Sequence, residues 1–314
     1  MMKPVLIMGC GYVGERVGHR MAREGRRVIA VARSTERVEA LKAMGFETFQ
    51  ADLDTGEGLD ELPMAGCLVL HSAPPPNEGR VDPRTARFTE SCRRQPPEKI
   101  VYISTTGVYG DQGGAQVDDL TEPSPMTDRG HRRLDAEKRL SQLMAEARIP
   151  VVVLRAPGIY GPFRLPLARI RAGEPVICPE ESGPGNRIHA DDLATLCAAA
   201  LDHGPEGQTY NVGDSDHRSM TDFVYAVADA ADLPRPPCVS MAEAEKVLSP
   251  GMMSFLRESR VVVAGRSLVD LGVDLQYPRM EAGIRASLKV EEGDDTLDDS
   301  EITPYHISRR HTPG

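Results

Sequence analysis

The amino-acid sequence predicts an α/β protein with a doubly wound parallel sheet and a smaller C-terminal lobe. Short, continuously apolar runs alternate with helix-like segments over the first 160 residues, which is typical of a parallel sheet covered on both faces. After Pro162 this alternation weakens, and proline and glycine cluster between residues 173 and 185. We therefore expect the sheet domain in residues 1–162, completed by a strand near 208–212, and most of the lobe in 163–289.

The individual elements follow from apolar spacing and from helix-ending residues. The apolar runs predict strands at 4–8, 27–32, 46–50, 67–71, 100–104 and 151–154. Helical spacing predicts helices at 13–23 and 35–44, with Gly45 ending the second. A longer helix should begin near Asp128 with Thr127 as its N-cap, and another at Asp191 or Asp192. Three short helices are predicted at 221–231, 266–271 and 280–288.

Composition excludes several classes of protein. The net charge of −10 and the lack of a basic stripe argue against a nucleic-acid partner. No apolar run approaches the length of about 18 residues that a membrane span needs, and the N-terminus shows no signal peptide. The six scattered cysteines predict neither a zinc site nor a disulfide framework, so we expect a cytoplasmic protein. Residues 290–314 are acidic and poor in apolar groups, which predicts a disordered tail.

A glycine motif between the first predicted strand and helix indicates a dinucleotide site of the Rossmann type. It runs Gly9-Cys10-Gly11-Tyr12-Val13-Gly14. Gly9 would allow a tight turn, Gly11 would let the backbone approach a pyrophosphate, and Gly14 would let the helix pack against the strand. The pyrophosphate would lie at the helix N-terminus.

The end of the second predicted strand favours NADP(H), with NAD(H) as the alternative. An NAD site usually carries an acidic residue here to bind the ribose 2′-hydroxyl. This chain has Arg33 and Ser34 instead, with Arg37 one helical turn further. A guanidinium binds a 2′-phosphate through paired, charged hydrogen bonds.

An ordered set of further motifs resembles the extended, or atypical, branch of the short-chain dehydrogenase/reductase superfamily, which contains sugar-nucleotide epimerases and dehydratases. The resemblance spans residues 3–289, and the order of the motifs is more specific than any one of them. Besides the glycine loop they are Ala51-Asp52-Leu53, Ser104-Thr105 with Gly107-Val108-Tyr109-Gly110, Leu154-Arg155-Ala156-Pro157-Gly158-Ile159-Tyr160-Gly161-Pro162, Arg187-Ile188-His189-Ala190-Asp191-Asp192-Leu193 and Tyr210-Asn211-Val212-Gly213.

The resemblance implies roles for individual residues. Asp52 and Leu53 would contact the adenine, and Ser72 with Ala73 would lie beneath the ribose and the nicotinamide. Thr105 would bind the substrate oxygen. The nicotinamide pocket would be walled by Pro157 and Ile159, together with Gly158, and the substrate side would include Tyr160, Arg187 and His189.

The chain departs from the family at the catalytic pair. Aligning Gly130 and Glu137 with the family's Tyr-x-x-x-Lys region places Arg129 on the tyrosine and Arg133 on the lysine. Arginine stays charged and cannot serve as a proton donor. Arg133 could still bind the nicotinamide ribose, and Arg129 could stabilise an oxyanion or bind an anionic ligand. The candidate replacement acids are Tyr109, His131 and His189, each of which also has a plain structural interpretation.

Two functions remain open from the sequence. The first is an NADP(H)-binding oxidoreductase or epimerase-like enzyme that acts on a small polar metabolite, with Thr105, Tyr109, Arg129 and Arg133 at its centre. The second is a non-catalytic NADP(H)-binding redox sensor or assembly factor. The resemblance also implies a homodimer through helices near 84–94 and 128–147, although the first of these is polar.

Overall fold

The computed structural model describes residues 2–248 and 250–293. Its strands are β1 (Val5–Met8), β2 (Val28–Ala32), β3 (Glu47–Gln50), β4 (Leu68–His71), β5 (Lys99–Thr105), β6 (Gln116–Val117), β7 (Val151–Ala156), β8 (Gly158–Tyr160), β9 (Val176–Ile177), β10 (Arg187–His189), β11 (Thr209–Asn211), β12 (Cys238–Val239) and β13 (Val261–Val262). Its α-helices are α1 (Tyr12–Arg23), α2 (Thr35–Ala43), α3 (Pro83–Arg94), α4 (Asp128–Ala147), α5 (Leu167–Arg171), α6 (Ala190–His203), α7 (Met220–Ala230), α8 (Met241–Val247), α9 (Pro250–Leu256), α10 (Gly265–Leu271) and α11 (Met280–Glu292). A 3-10 helix covers Thr106–Tyr109.

Seven strands form one parallel sheet in the order β11-β7-β5-β4-β1-β2-β3. The central strands β1, β4 and β7 are buried along their whole length, as their continuous apolar runs predict. The chain order reverses between β1 and β4, and such a switch point opens a crevice at the carboxyl ends of the strands. The predicted fold class is confirmed.

Helices cover both faces of the sheet. On one face α1 and α6 pack together, and Val17 of α1 and Leu196 of α6 are fully buried in the same cluster. On the other face α3 packs against α4, where Phe88 and Leu140 share a second cluster. The predicted start of α4 is confirmed, because Thr127 Oγ1 accepts the Gly130 N–H at 3.2 Å as the helix cap. The helix predicted at Asp191 or Asp192 begins at Ala190.

Beyond β8 the chain also forms smaller units. Tyr160 and residues of α5, α7 and α11 form a third cluster of buried side chains. Two-residue parallel pairs join β9 to β12 and β6 to β13. Short pairings of this kind carry too little pattern to be found in a sequence. The division at residue 162 stays a prediction.

Two expectations from composition need correction. Cys178 and Cys238 form a disulfide that joins the regions of β9 and β12, 60 residues apart in sequence, whereas the scattered cysteines predicted none. Residues 290–292, assigned to a disordered tail, complete α11, and the rest of that tail from residue 294 lies outside the described residues. Within 2–248 and 250–293, no helix is long and apolar enough to cross a membrane, and no cluster of acidic, histidine or cysteine side chains could hold a metal ion.

Candidate functional site

The glycine loop joins β1 to α1 at the carboxyl edge of the sheet. Gly9 has φ +79°, and a Cβ atom there would lie 2.6 Å from Ala73 Cα, so only glycine fits. A Cβ atom on Gly14 would lie 2.9 Å from Ile7 Cγ2, which is why glycine lets α1 approach β1. Around a Cβ atom on Gly11, the only atom within 4 Å in the described chain is the Gly9 carbonyl oxygen, at 3.9 Å. Open space therefore lies beside Gly11.

The first turn of α1 suits an anion. Gly11 is its N-cap and provides no side-chain hydrogen bond, so the first N–H groups of the helix keep their partial positive charge. Ser72 Oγ donates to the Gly9 carbonyl at 3.0 Å and thereby fixes the loop. Exposed helix N–H groups beside an open space can bind a pyrophosphate, so the residues present fit a dinucleotide.

A cavity of about 190 Å³ continues this crevice between the carboxyl ends of β2 and β3. Its lining includes three residues that the resemblance assigned to the cofactor, namely Asp52, Leu53 and Ala73. Asp52 Oδ1 accepts the Asp54 N–H at 2.7 Å, which orients the carboxylate within its own turn. Because apolar side chains such as Val31 supply much of the wall, the cavity is suited to a flat base such as adenine.

Arg33 stands at the rim of that cavity, directly after the last residue of β2. Its side chain is 64% exposed, and Nη1 lies 3.1 Å from Asp54 Oδ2. Arg84 binds the same carboxylate more closely, through Nε and Nη2 at 2.6 Å each, and these bonds lower the pKa of Asp54. Since Arg84 already balances the charge of Asp54, Arg33 presents a positive charge to the cavity rim.

Arg37, predicted to contact a 2′-phosphate, does not line that cavity. Its Nε and Nη2 donate to the Cys10 carbonyl at 3.2 and 3.1 Å, and its guanidinium pairs with the buried Glu15. A buried carboxylate needs such a cation, so Arg37 holds the glycine loop against α1. Ser34 Oγ accepts the Arg37 N–H at 3.3 Å and caps α2.

The other side chains of the loop are engaged with the protein itself. Cys10 and Val13 are buried, and burial raises the pKa of the Cys10 thiol to about 12. Tyr12 Oη donates to the Pro162 carbonyl at 2.9 Å, and the Arg164 guanidinium lies 3.9 Å from its ring centre. Only the backbone groups of these residues are therefore available to a ligand in the crevice, because their side chains contact the protein.

At the other end of the crevice, β5 ends at Thr105, which is half-buried. Thr105 Oγ1 accepts the Gly107 N–H at 3.1 Å and caps the 3-10 helix. The preceding Ser104 points into the interior, where its hydroxyl donates to Glu137. Glu137 in turn receives two hydrogen bonds from Arg155, at 2.7 and 3.2 Å. Thr105 is thus the crevice-side hydroxyl of this pair, and Ser104 belongs to a buried ionic network.

Tyr109, predicted as a catalytic residue, belongs to the same network. Its side chain is fully buried, and its hydroxyl lies 2.8 Å from Asn211 Oδ1 and 2.9 Å from the Asp118 carbonyl. The hydroxyl also accepts a hydrogen bond from Arg155 at 2.9 Å. Burial raises the pKa of Tyr109. A phenol held in this way cannot pass a proton to a substrate in the crevice.

The N-terminus of α4 packs directly on the 3-10 helix. A Cβ atom on Gly130 would lie 2.8 Å from the Gly107 carbonyl oxygen, so glycine permits this close approach. The packing places the first turn of α4, which carries Arg129, against the 3-10 helix that follows Thr105, and Arg133 lies one turn further along α4.

The two arginines differ in their surroundings. Arg133 is half-buried, and its Nη1 donates to the Ile103 carbonyl at 2.9 Å and to Tyr102 Oη at 3.1 Å. Nothing in the sequence singles out Tyr102, because this tyrosine lies within an apolar strand-like run. Arg129 is exposed, and no residue of the described chain forms an ion pair or hydrogen bond with it. His131, between them in sequence, contacts Arg80.

The three residues predicted on the substrate side are internal. Arg187 is buried, and its guanidinium donates to the carbonyls of Asp216 at 3.0 Å, Ser219 at 3.2 Å and Arg218. A diphosphate would have to displace these bonds. Arg187 therefore connects β10 to the start of α7.

His189 and Tyr160 are buried as well. His189 Nδ1 accepts the Asp191 N–H at 3.2 Å as the N-cap of α6, and Nε2 lies 3.3 Å from Ser287 Oγ. The Tyr160 ring packs edge-on against His189, and burial raises its pKa. Ile159, predicted to wall the nicotinamide pocket, pairs with β10 and packs against the main core.

A second cavity, of about 70 Å³, was not predicted and is called here the lobe pocket. At its crevice end lie Thr106, Pro157 and Gly158, next to Thr105. At its far end the lining includes Ile177, Glu181, Met241, Glu258 and Arg260. Glu258 and Arg260 form a buried ion pair at 3.0 Å. The sequence does not reveal this pocket, because its walls come from six separated segments without a shared motif.

Comparison with known proteins gives a consistent assignment. The model of the NAD dependent epimerase/dehydratase family matches residues 5–213. Protein YeeZ of Escherichia coli (strain K12) is 24% identical over 286 residues, which cover 88% of this chain and 97% of YeeZ.

Solved structures agree with the family match. One, of a functionally unknown conserved protein from Silicibacter pomeroyi DSS, is 31% identical with a TM-score of 0.78, covering 91% of this chain and 98% of that chain. The UDP-glucuronic acid 4-epimerase from Bacillus cereus, solved in complex with NAD, shares the fold with a TM-score of 0.74 at 17% identity, covering 93% of this chain and 99% of that one. The predicted resemblance is confirmed: this chain belongs to the NAD dependent epimerase/dehydratase family.

Proposed function

We propose that this protein is an NADP(H)-dependent oxidoreductase of its family that acts on a compact, anionic metabolite. The observation that carries the cofactor choice is Arg33, an exposed cation at the rim of the cavity beside β2, where an NAD site would have a carboxylate. The Bacillus cereus epimerase was solved with NAD, which supports a nicotinamide cofactor but not the preference for NADP.

The glycine loop and the 190 Å³ cavity would hold the pyrophosphate and the adenosine. When bound, the cofactor supplies or accepts a hydride. Thr105 would orient the substrate oxygen, because its Oγ1 is fixed by the Gly107 N–H and its own O–H has no acceptor among the described residues. Arg129 would stabilise negative charge on that oxygen or on a neighbouring carboxylate. Since no arginine can act as an acid, the proton would come from water.

The size of the lobe pocket and the contacts of the nearby Arg187 support a small substrate. The lobe pocket, at about 70 Å³, has less than half the volume of the 190 Å³ cavity at the glycine loop. Arg187, the cation that could have bound a diphosphate, is committed to backbone carbonyls. A small carboxylate-bearing carbonyl compound or alcohol suits this pocket better than a nucleotide sugar.

Affinity measurements on a charge-removal variant test the cofactor proposal. Arg33→Met keeps the aliphatic stem and removes the cation, so we expect NADPH affinity to fall by about tenfold to a hundredfold, or about 1.4–2.7 kcal/mol, with NADH affinity unchanged. Arg27→Met is the matched control, because Arg27 is exposed and paired with Glu47 at the opposite end of β2. An unchanged ratio of NADPH to NADH affinity in Arg33→Met would refute the 2′-phosphate role.

A second candidate function is a protein that binds NADP(H) without turnover. It is favoured by one observation: all three candidate replacement acids, Tyr109, His131 and His189, already contact other groups of the protein. A panel of α-keto acids assayed with NADPH, and of hydroxy acids assayed with NADP⁺, separates the two functions. NADPH consumption or NADP⁺ reduction that is lost in Thr105→Ala supports the enzyme, whereas tight NADPH binding with no turnover across the panel supports the second function.

A further inference from the structure

The disulfide between Cys178 and Cys238 lies at the surface, unlike the other cysteines. Cys238 is exposed and Cys178 is half-buried, whereas Cys10, Cys67, Cys92 and Cys197 are buried as free thiols. Exchange requires a thiolate to reach a sulfur atom, so access decides which disulfides can be reduced in the folded protein. This bond is therefore accessible to a small reductant in solution.

Both ends of the disulfide continue directly into the lobe pocket. Ile177 precedes Cys178, and Met241 follows Cys238 by three residues; both line the pocket. Across the gap, the Met241 N–H donates to Glu181 Oε2 at 2.7 Å. A change in the spacing of these two segments would change the width of the pocket.

Few other contacts hold the two segments together. The parallel ladder of β9 and β12 is two residues long on each side, pairing Val176 with Cys238 and Ile177 with Val239. The buried cluster beneath it contains Ile177, Ala244 and Met253, which is small beside the clusters that flank the main sheet. Segments with few buried apolar contacts open locally at low free-energy cost.

We propose that Cys178 and Cys238 form a reversible redox site that controls the shape of the lobe pocket. The disulfide keeps α8 and α9 against β9, and reduction lets them move away. A dithiol supplies the two electrons and two protons: one of its thiolates attacks a cysteine sulfur, which forms a mixed disulfide and releases the other cysteine as a thiolate. Its second thiolate then attacks the reductant's own sulfur in the mixed disulfide and releases the first cysteine. The protein then holds two thiols and the reductant is a disulfide. The inference rests on the proposed function only in taking the pocket as the substrate site.

Hydrogen–deuterium exchange on the full chain, with and without dithiothreitol, tests the proposal. After reduction we expect amide exchange in residues 177–186 and 239–248 to accelerate by about tenfold or more, with β1 and β5 unchanged. Alkylation of the undenatured protein, followed by mass spectrometry, should then show labels on Cys178 and Cys238.

Cysteine variants supply the controls. In the double variant Cys178→Ser/Cys238→Ser, amide exchange in residues 177–186 and 239–248 should be fast both with and without dithiothreitol. Cys67→Ser should respond as the wild type does, because a serine hydroxyl can replace the thiol that donates to the Pro63 carbonyl.

Three results would overturn the inference. The disulfide could resist reduction in the folded protein, or its reduction could leave amide exchange around the pocket unchanged. Exchange could also become faster throughout the sheet, which would mean that the disulfide stabilises the whole fold rather than the pocket. NADPH affinity is measured in parallel. If the wild type fails to bind NADPH, the proposed function is refuted and the redox inference is still tested by exchange.

Discussion

The two ends of the crevice use their polar residues in opposite ways. At the nucleotide end, Gly11 leaves open space and Arg33 presents an exposed cation. At the catalytic end, the hydroxyls of Ser104 and Tyr109 point inward and are bound by Glu137 and Arg155. The difference indicates that a chain with this fold can keep a site for the cofactor while the hydroxyls that could transfer a proton are engaged elsewhere. One end is organised to receive a ligand, whereas polar groups beneath the other stabilise the protein.

The largest effect we expect comes from breaking the buried network beneath the catalytic end. Arg155→Met removes the cation that pairs with Glu137, whose side chain is 8% exposed, and leaves a buried carboxylate without its partner. We expect the free energy of unfolding in urea to fall by about 4 kcal/mol. Arg139→Met is the matched control, because its pair with Asp135 on the same helix is partly exposed and should contribute less than about 1 kcal/mol. Similar losses in both variants would mean that the network is not a stabilising unit.

The next effect should be confined to the nucleotide end. Gly9→Ala places a Cβ atom 2.6 Å from Ala73 Cα at φ +79°, so the loop must shift away from its pyrophosphate-binding geometry. We expect NADPH affinity to fall about a hundredfold, or about 2.7 kcal/mol, by calorimetric titration. Gly45→Ala has a similar φ of +87° but nothing within 4 Å of its Cβ atom, and it should keep full affinity. A normal affinity in Gly9→Ala would contradict the role of the loop.

The sequence predicted the nucleotide end better than the catalytic end for a physical reason. The glycine loop depends on backbone geometry within six residues, and α4 begins where the Thr127 cap predicts it. In contrast, the hydroxyl of Tyr109 is fixed by Asn211 and Arg155, which are 102 and 46 residues away in sequence. Motifs record which residue types are present, but they do not show whether a tertiary contact has already engaged the side chain.

The same limit applies to other residues. Arg37 reads as a free cation near the second strand, and only the tertiary structure reveals its pairing with Glu15 of α1. The disulfide joins two cysteines that are 60 residues apart, at a two-residue ladder without a sequence signal. Arg187 reads as an anion ligand until the loop at residues 216–219 folds over it.

A smaller effect distinguishes the internal role of Tyr109 from a catalytic one. Tyr109→Phe removes the hydroxyl and leaves its hydrogen-bond partners unsatisfied, so we expect a loss of about 1.5 kcal/mol in unfolding free energy. NADPH affinity, and any turnover found in the substrate panel, should stay within about twofold of the wild type. If turnover disappears while the stability is retained, Tyr109 is the proton donor and the catalytic end is not organised as described here.

A pH-dependent effect concerns Asp214, a buried acid just beyond β11 at the edge of the sheet. Burial raises its pKa to about 7; Oδ1 accepts the Asp216 N–H at 2.9 Å, and Oδ2 has no hydrogen-bond partner in the described residues. Between pH 4 and 7 the folded state therefore binds more protons than the unfolded state, so the unfolding free energy falls as pH rises through this range. Asp214→Asn removes this titration, so its unfolding free energy should equal that of the wild type at pH 4 and exceed it at pH 8 by about 1.4 kcal/mol for each unit by which burial raises the pKa. Urea unfolding across this range checks the prediction, with the exposed Asp232→Asn as a control that should keep the wild-type slope. A wild-type slope in Asp214→Asn would show that the pKa of this carboxyl group is the same in the folded and unfolded states, so that its burial does not lower the stability at neutral pH.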